Sequence, residues 1–275
     1  VQTAARLLAE SRTLATLDLL GEDVRDEAQV RRNLDAYERL VGAIATDPRF
    51  VDGTSRPTVS VKPSAFTTGP LEAASGPVRA LCDRAHAAGV GVTIDMEDRR
   101  WTDFTLDLAV RLFRRGLDVG TVLQTRLHRT EGDLSRVPPG MRIRLVIGIY
   151  REPPVAALTD KPAMKERMVE FSARLLASGA RVEFATHDER FLERFVRDVA
   201  PRAPERCEVQ MLLGVPRGRF RRTLADGRMG PRLPLRLYVP FALGWDDATA
   251  YLRRRMEENP SMALLVLRNL LPGTG

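Results

Sequence analysis

The sequence predicts an α/β chain folded as a (β/α)8 TIM-like barrel, with a helical lead-in at its N-terminus and a C-terminal helix over the barrel mouth. Three observations carry this reading. Seven short runs rich in β-branched residues alternate with amphipathic stretches, and the alternation continues without an internal switch. The runs are apolar almost throughout, as strands of a parallel sheet covered on both faces are. No Gly-x-Gly-x-x-Gly follows the first of them, so the phosphate-binding turn of a dinucleotide fold is missing. A doubly wound open sheet is the alternative architecture.

Residues 1–50 read as helical. Leu7, Leu8, Leu14, Leu17, Leu19 and Leu20 precede a polar break at Gly21-Glu22-Asp23, and Val30, Leu34, Tyr37, Leu40 and Val41 recur after it. Strands follow near 58–62, 90–95, 119–124, 143–150, 182–186, 208–213 and 236–240, with helices near 77–89, 103–115, 162–179, 188–199, 217–225 and 245–258. The expected organisation is one domain over 1–275, with the barrel in 51–275. An eighth strand is needed for closure, and its candidates are the apolar run 262–267 and a segment hidden near the N-terminus.

Composition narrows the function. The 275 residues are 44% hydrophobic, enough for one large core, and 43 Lys+Arg against 36 Asp+Glu give a net charge of +7. Arginine is spread through almost every helix rather than gathered in one block, which argues against a nucleic-acid partner. Cys82 and Cys207 lie far apart in apolar contexts, as buried thiols in a reducing compartment do. No apolar run is long enough to span a membrane, and no signal pattern opens the chain. The expectation is a cytoplasmic protein without a transmembrane segment, with peripheral contact at the inner face of the membrane left open.

In barrel enzymes the chemistry collects at the C-terminal ends of the strands. Here nearly every strand ends in a polar residue: Lys62, then Asp95 and Glu97, Gln124, Tyr150 and His187, with Gln210 and Tyr238 inside the last two strands. Singly, each has a bland explanation. An Asp after a strand is more often a helix N-cap than a catalyst, and Asp188 has the same reading. His187 is as readily a hydrogen-bonded structural residue as a ligand. Together, polar termini converging on one mouth are what a site requires and a scaffold does not.

Arg144 is the sharper anomaly, because it interrupts the apolar run 143–150, where an unpaired guanidinium would be costly. It demands an anionic or polar partner. Arg142 and Arg144 share one face by the strand period, so one caps the barrel bottom while the other points toward its centre.

The segment 251–259 predicts a helix with two faces. Trp245, Thr249, Leu252 and Met256 form a packing stripe, while Tyr251, Arg254, Arg255 and Glu258 fall at i, i+3, i+4 and i+7. Adjacent guanidinium forks match a carboxylate bidentately, so this second stripe suits capture of a small acid. A solvated basic helix end is the commoner fate of such a segment.

Taken in order, these motifs resemble the proline dehydrogenase family, flavin-dependent barrels that oxidise L-proline as stand-alone enzymes or within bifunctional proline utilisation proteins. The resemblance spans about 59–259. Its pieces are Ser60-Val61-Lys62-Pro63-Ser64, Ile94-Asp95-Met96-Glu97-Asp98, Leu123-Gln124, Arg144-Leu145-Val146-x-Gly148-x-Tyr150-x-Glu152, Phe184-Ala185-Thr186-His187, Gln210-Met211-Leu212-x-Gly214, Tyr238-Val239-Pro240-Phe241 and Tyr251-x-x-Arg254-Arg255-x-x-Glu258-Asn259. Any one is weak, but the ordered set is strong.

The resemblance implies FAD as cofactor and hydride transfer to its N5, giving 1-pyrroline-5-carboxylate. It implies that Arg254, Arg255 and Lys62 hold the substrate carboxylate, with Glu258 in the same substrate set. Tyr238 would pack over the substrate ring, and Asp95 would hold the Tyr238 and Lys62 neighbourhood. Arg144 would lie by the flavin N5 and pyrimidine edge, and Gln124 would hydrogen-bond the isoalloxazine. Gly148, Gln210 and the Ala185-Thr186-His187 corner complete the cofactor side. The electron acceptor is left open, with a membrane quinone as one candidate.

Three positions depart from the family pattern: Ile147 stands where a Lys is usual, Ile149 where an Ala is usual, and Ala242 where a Gly is usual. They leave room for a rival, the same flavin chemistry on another cyclic amino acid in a biosynthetic pathway. A metal-dependent barrel built on Asp95, Glu97 and His187 is weaker, since the arginines would repel a cation.

Overall fold

The barrel closes through a strand inside the first fifty residues. The computed structural model describes residues 1–22, 24–50, 53–215, 217–244 and 249. Its eight strands are β1 (Leu14–Leu19), β2 (Thr58–Val61), β3 (Val92–Ile94), β4 (Val119–Gln124), β5 (Arg142–Val146), β6 (Arg181–Ala185), β7 (Cys207–Leu212) and β8 (Leu235–Phe241). They run parallel in chain order, and β1 seals the ring by pairing with both β2 and β8.

The strand β1 corrects the reading of 1–50 as a wholly helical lead-in and of the barrel as starting at 51. Residues 1–50 instead hold α1 (Gln2–Ser11), β1 and α2 (Glu27–Thr46). Leu and Ala favour helices, and a six-residue apolar run has no periodicity that tells strand from helix. Pairing on both sides decides for the strand. Asp26 caps α2 by accepting from the Gln29 backbone N–H at 2.8 Å. The Tyr37 hydroxyl then stitches α2 to the barrel, donating to Ser60 O at 2.6 Å and accepting from Leu19 N at 3.2 Å.

The remaining described helices are α3 (Ser75–Ala87), α4 (Thr102–Arg114), the single turn α5 (Thr130–Asp133), α6 (Lys161–Ala177), α7 (Glu189–Arg194) and α8 (Gly218–Ala225). Several lie close to their expected places. The helix expected over the mouth at 245–258, apart from Thr249, lies outside the described residues, as does the run 262–267. The expected strand 143–150 is shorter than its apolar pattern, because β5 ends at Val146 and Gly148 turns the chain with φ +95°.

The strands are also less uniform than continuous apolar runs. Successive side chains alternate, so Val59, Val61, Ile143, Leu145, Val182, Phe184, Val209, Met211, Leu237 and Val239 pack into the apolar core. The residues between them face the barrel interior, and those are polar. This departs from the branched apolar layers usual inside such barrels. At the bottom Arg142 donates to Glu183 and Asp118, each at 3.0 Å, and Arg236 donates to Glu208 at 2.8 Å. Burial alone would raise the Glu183 carboxyl, but Arg142, Arg144 and Arg236 outweigh it and hold it below the usual range.

Candidate active site

Above that layer, six strands bring Asp18, Ser60, Lys62, Asp95, Arg144, Gln210 and Tyr238 together. Parallel strands make this convergence automatic: each residue sits at or just beyond an inward position of its strand. Arg144, 5% exposed, has the partners its burial demands. Its Nη1 donates to Asp95 Oδ1 at 2.7 Å and Ser60 Oγ at 3.2 Å, and its Nε donates to Gln210 Oε1 at 2.7 Å. The bottom-and-centre division expected of Arg142 and Arg144 is therefore what the barrel contains.

Asp95 organises the other side. Its Oδ2 accepts from the Tyr238 hydroxyl at 2.9 Å, while Oδ1 accepts from Ser60 Oγ at 2.7 Å as well as from Arg144. The Tyr238 ring centroid lies 5.1 Å from the Arg144 guanidinium carbon, within cation–π range. Lys62 Nζ donates to Asp18 Oδ1 at 2.8 Å, to Asp18 Oδ2 at 2.7 Å and to Tyr238 Oη at 3.4 Å.

The charges follow from burial and neighbours. Burial would lower the Lys62 ammonium, but Asp18, Tyr238, Glu22 and Asp95 carry it well above the ordinary lysine range. Burial pushes Asp18 up to about 6, with Lys62 pulling it back, so it is a carboxylate at neutral pH. Burial and the nearby carboxylates of Asp18 and Asp95 keep Tyr238 a neutral phenol, able to donate.

Gln124 stands at the end of β4, beside β5. Its Nε2 donates to Glu97 O at 2.7 Å, while its Oε1 is buried without a hydrogen-bond partner. Arg144 Nη2 is likewise buried and unpartnered. Such orphans are costly, and a donor and an acceptor left on neighbouring strands fit a planar ring edge that itself alternates acceptors and donors. Gly148 belongs to the same place: a Cβ there would collide with Gln124 Oε1, and its positive φ also excludes other residues. On these observations the residues present fit a flavin.

The other expected residues are placed as follows. His187 Nε2 accepts from the Leu212 backbone N–H at 3.0 Å, tying the end of β6 to β7. Thr186 Oγ1 accepts from Asp188 N at 3.2 Å, and Ala185 ends β6. Both ends of the Gln210 amide are used inside the barrel, Oε1 by Arg144 and Nε2 by Glu208 at 2.8 Å. Glu97 accepts from Ser64 N at 2.9 Å, and burial pushes it up to about 7 against that hydrogen bond. Asp95, Glu97 and His187 thus serve three separate contacts, and among the described residues no group of three or more His, Cys, Asp or Glu gathers to hold a metal.

Of the departures, Ile147 packs against the apolar core, and Ile149 is 42% exposed beyond the end of β5. Ala242 follows β8 directly. Tyr251, Arg254, Arg255 and Glu258 lie outside the described residues. Asp18 was missed in the sequence, although an acidic residue between Leu17 and Leu19 is the same kind of signal as Arg144.

A parallel (β/α)8 barrel with buried, mutually paired polar groups at the C-terminal ends of its strands is an enzyme scaffold with a preorganised small-molecule site. The chain belongs to the proline dehydrogenase family, whose sequence profile matches residues 1–150. It is 30% identical to proline dehydrogenase of Deinococcus radiodurans, over 98% of this chain and 86% of that one. It is 29% identical to proline dehydrogenase 1 of Bacillus subtilis strain 168, with the same coverage. The fold is shared with proline utilization A of Bdellovibrio bacteriovorus inactivated by N-propargylglycine, with a TM-score of 0.81 and 23% identity over 94% of this chain. Proline utilization A of Bradyrhizobium japonicum, in its D779W mutant, aligns with a TM-score of 0.78 over 89%. The chain spans 31% and 28% of the lengths of those two proteins. Among the described residues no helix is long and apolar enough to cross a membrane.

Proposed function

We propose that this chain oxidises L-proline to 1-pyrroline-5-carboxylate with FAD, as a step of proline catabolism. The observation that carries the reading is Arg144, locked by Asp95 and Gln210 with one buried nitrogen left over, on the strand paired with the one that ends at Gln124 and its orphaned oxygen. When bound, the flavin supplies the two-electron acceptor for the hydride that leaves the ring carbon next to nitrogen.

The chain's own residues supply orientation and electrostatics. Arg144 and Gln124 would hold the polar edge of the flavin, where the fixed guanidinium would favour negative charge. Gly148 leaves the approach clear. The Ala185-Thr186-His187 corner would contact the cofactor, and Gln210 would act by bracing Arg144. Tyr238 presents its ring to the substrate, held by Asp95 and Lys62. Arg254, Arg255 and Lys62 hold the carboxylate, with Glu258 in the same substrate set. The final electron acceptor in this reading is a membrane quinone, reached by a cytoplasmic protein in peripheral contact with the membrane.

The test is turnover of the purified protein, reconstituted with FAD and given L-proline with an artificial electron acceptor. Mass spectrometry is expected to find a product two hydrogens lighter than proline. Turnover of a hydroxylated, methylated or six-membered ring analogue, with none on L-proline, would move the assignment to that analogue.

A further inference from the structure

Asp18 is fully buried near the C-terminal end of β1, and both of its described hydrogen bonds go to Lys62. It caps no helix. A carboxylate placed there without its cation would be an uncompensated buried charge, so the pair exists for what the lysine does. An ammonium has three donors. Asp18 takes two, and the third points to the Tyr238 hydroxyl, whose own proton goes to Asp95.

We infer that Asp18 is a positioning residue of the substrate site: it fixes the Lys62 ammonium so that Lys62 in turn fixes the Tyr238 ring. The inference rests on the proline-oxidising reading above. The geometry makes a chain from β1 through the ends of β2 and β3 to β8, and the register supports it. Asp18 lies beside Ser60 on one side and Pro240 on the other, with Lys62 two residues further along the same inward face of the β2 strand. Loss of the Asp18 charge frees Lys62 to turn, and Tyr238 then keeps only its bond to Asp95.

Tyr238, Glu22 and Asp95 also act on Lys62, and Glu97, Tyr37 and Tyr150 feel its charge, so Asp18 is the nearest of several influences. The experiment reads Lys62 directly. Acylation of its amine, followed by mass spectrometry across a pH series, gives its titration in the wild-type protein and in Asp18→Asn. The wild-type amine is expected to titrate above the ordinary lysine range, and Asp18→Asn is expected to lower it by about one pH unit or more, the effect of one close charge. In turnover, Asp18→Asn is expected to reduce kcat/KM for L-proline roughly tenfold, mainly through KM, as loss of one charge-assisted hydrogen bond does.

In a Lys62→Gln background the same substitution is expected to change kcat/KM less than about twofold, because the two residues act as one unit. A merely structural Asp18 would lower thermal stability while leaving KM for L-proline near the wild-type value, and its effect would be the same with or without Lys62. Either result overturns the inference. Should Asp18→Asn fail to fold, Asp18→Ser is read in the same way, and an ordinary titration of Lys62 in the wild-type protein overturns the inference by itself. That titration needs neither flavin nor substrate, so it stands apart from failure of the protein to oxidise L-proline.

Discussion

Arg144 Nη1 donates to Asp95 Oδ1 at 2.7 Å inside the barrel, joining β5 to the end of β3 while leaving Arg144 Nη2 without a partner. The pair serves stability and the site together. Removing one side of such a pair costs about 3–5 kcal/mol, because the other charge stays buried. Arg144→Met is therefore expected to lower the thermal midpoint by roughly 10 °C and to abolish flavin retention. Arg144→Lys, which keeps a charge but not the fork, is expected to fall between the two in both scanning calorimetry and visible absorbance.

Gly148 tests the cofactor side separately. Gly148→Ala places a side chain at positive φ and against Gln124, for a cost of about 1–2 kcal/mol from the backbone alone. The ratio of flavin to protein after reconstitution is expected to drop. Gly42, in α2 with open space around it, is the control: Gly42→Ala is expected to stabilise by about 0.5–1 kcal/mol with flavin content unchanged.

The Tyr37 hydroxyl holds β1 in the barrel through the backbone of Leu19 and Ser60, without a hydrogen bond to any side chain of the site. Tyr37→Phe leaves a buried N–H and a buried carbonyl less satisfied and is expected to destabilise by about 1–3 kcal/mol in denaturant titration. KM for L-proline is expected to stay within twofold of wild type.

Glu97 gives the protein a pH dependence of predictable sign. Its folded-state value is raised from 4.5 to about 7 by burial, so the folded chain holds this proton more tightly than the unfolded one. The stabilisation is complete below about pH 4.5 and is lost as pH rises through about 7. Its full size is on the order of 3 kcal/mol. Asp18 has the same sign over a lower window, from 3.8 to about 6. Stability measured by urea titration is expected to decline over this range, and Glu97→Gln is expected to flatten the upper part of the decline.

Much of the barrel was legible because β2, β4, β5, β6 and β7 are short, β-branched or aromatic runs with polar residues at their ends. The strand β1 was not, since Leu14-Ala15-Thr16-Leu17-Asp18-Leu19 is built largely from good helix formers and becomes a strand only by pairing on both edges. Asp18 went unnoticed with it. That Arg144 needs a partner could be argued from burial alone, but the choice of Asp95 over Glu97 depends on the barrel register and on Ser64 claiming Glu97. Isoleucines at 147 and 149 extended the apparent strand past Val146, because hydrophobicity does not register the turn that Gly148 makes.

Anaerobic mixing of the FAD-reconstituted protein with L-proline, followed by visible absorbance, tests the central claim most directly. The protein is expected to retain a flavin band, and L-proline is expected to bleach it. A protein that holds no flavin after reconstitution, or whose flavin band L-proline leaves unchanged, would contradict the claim.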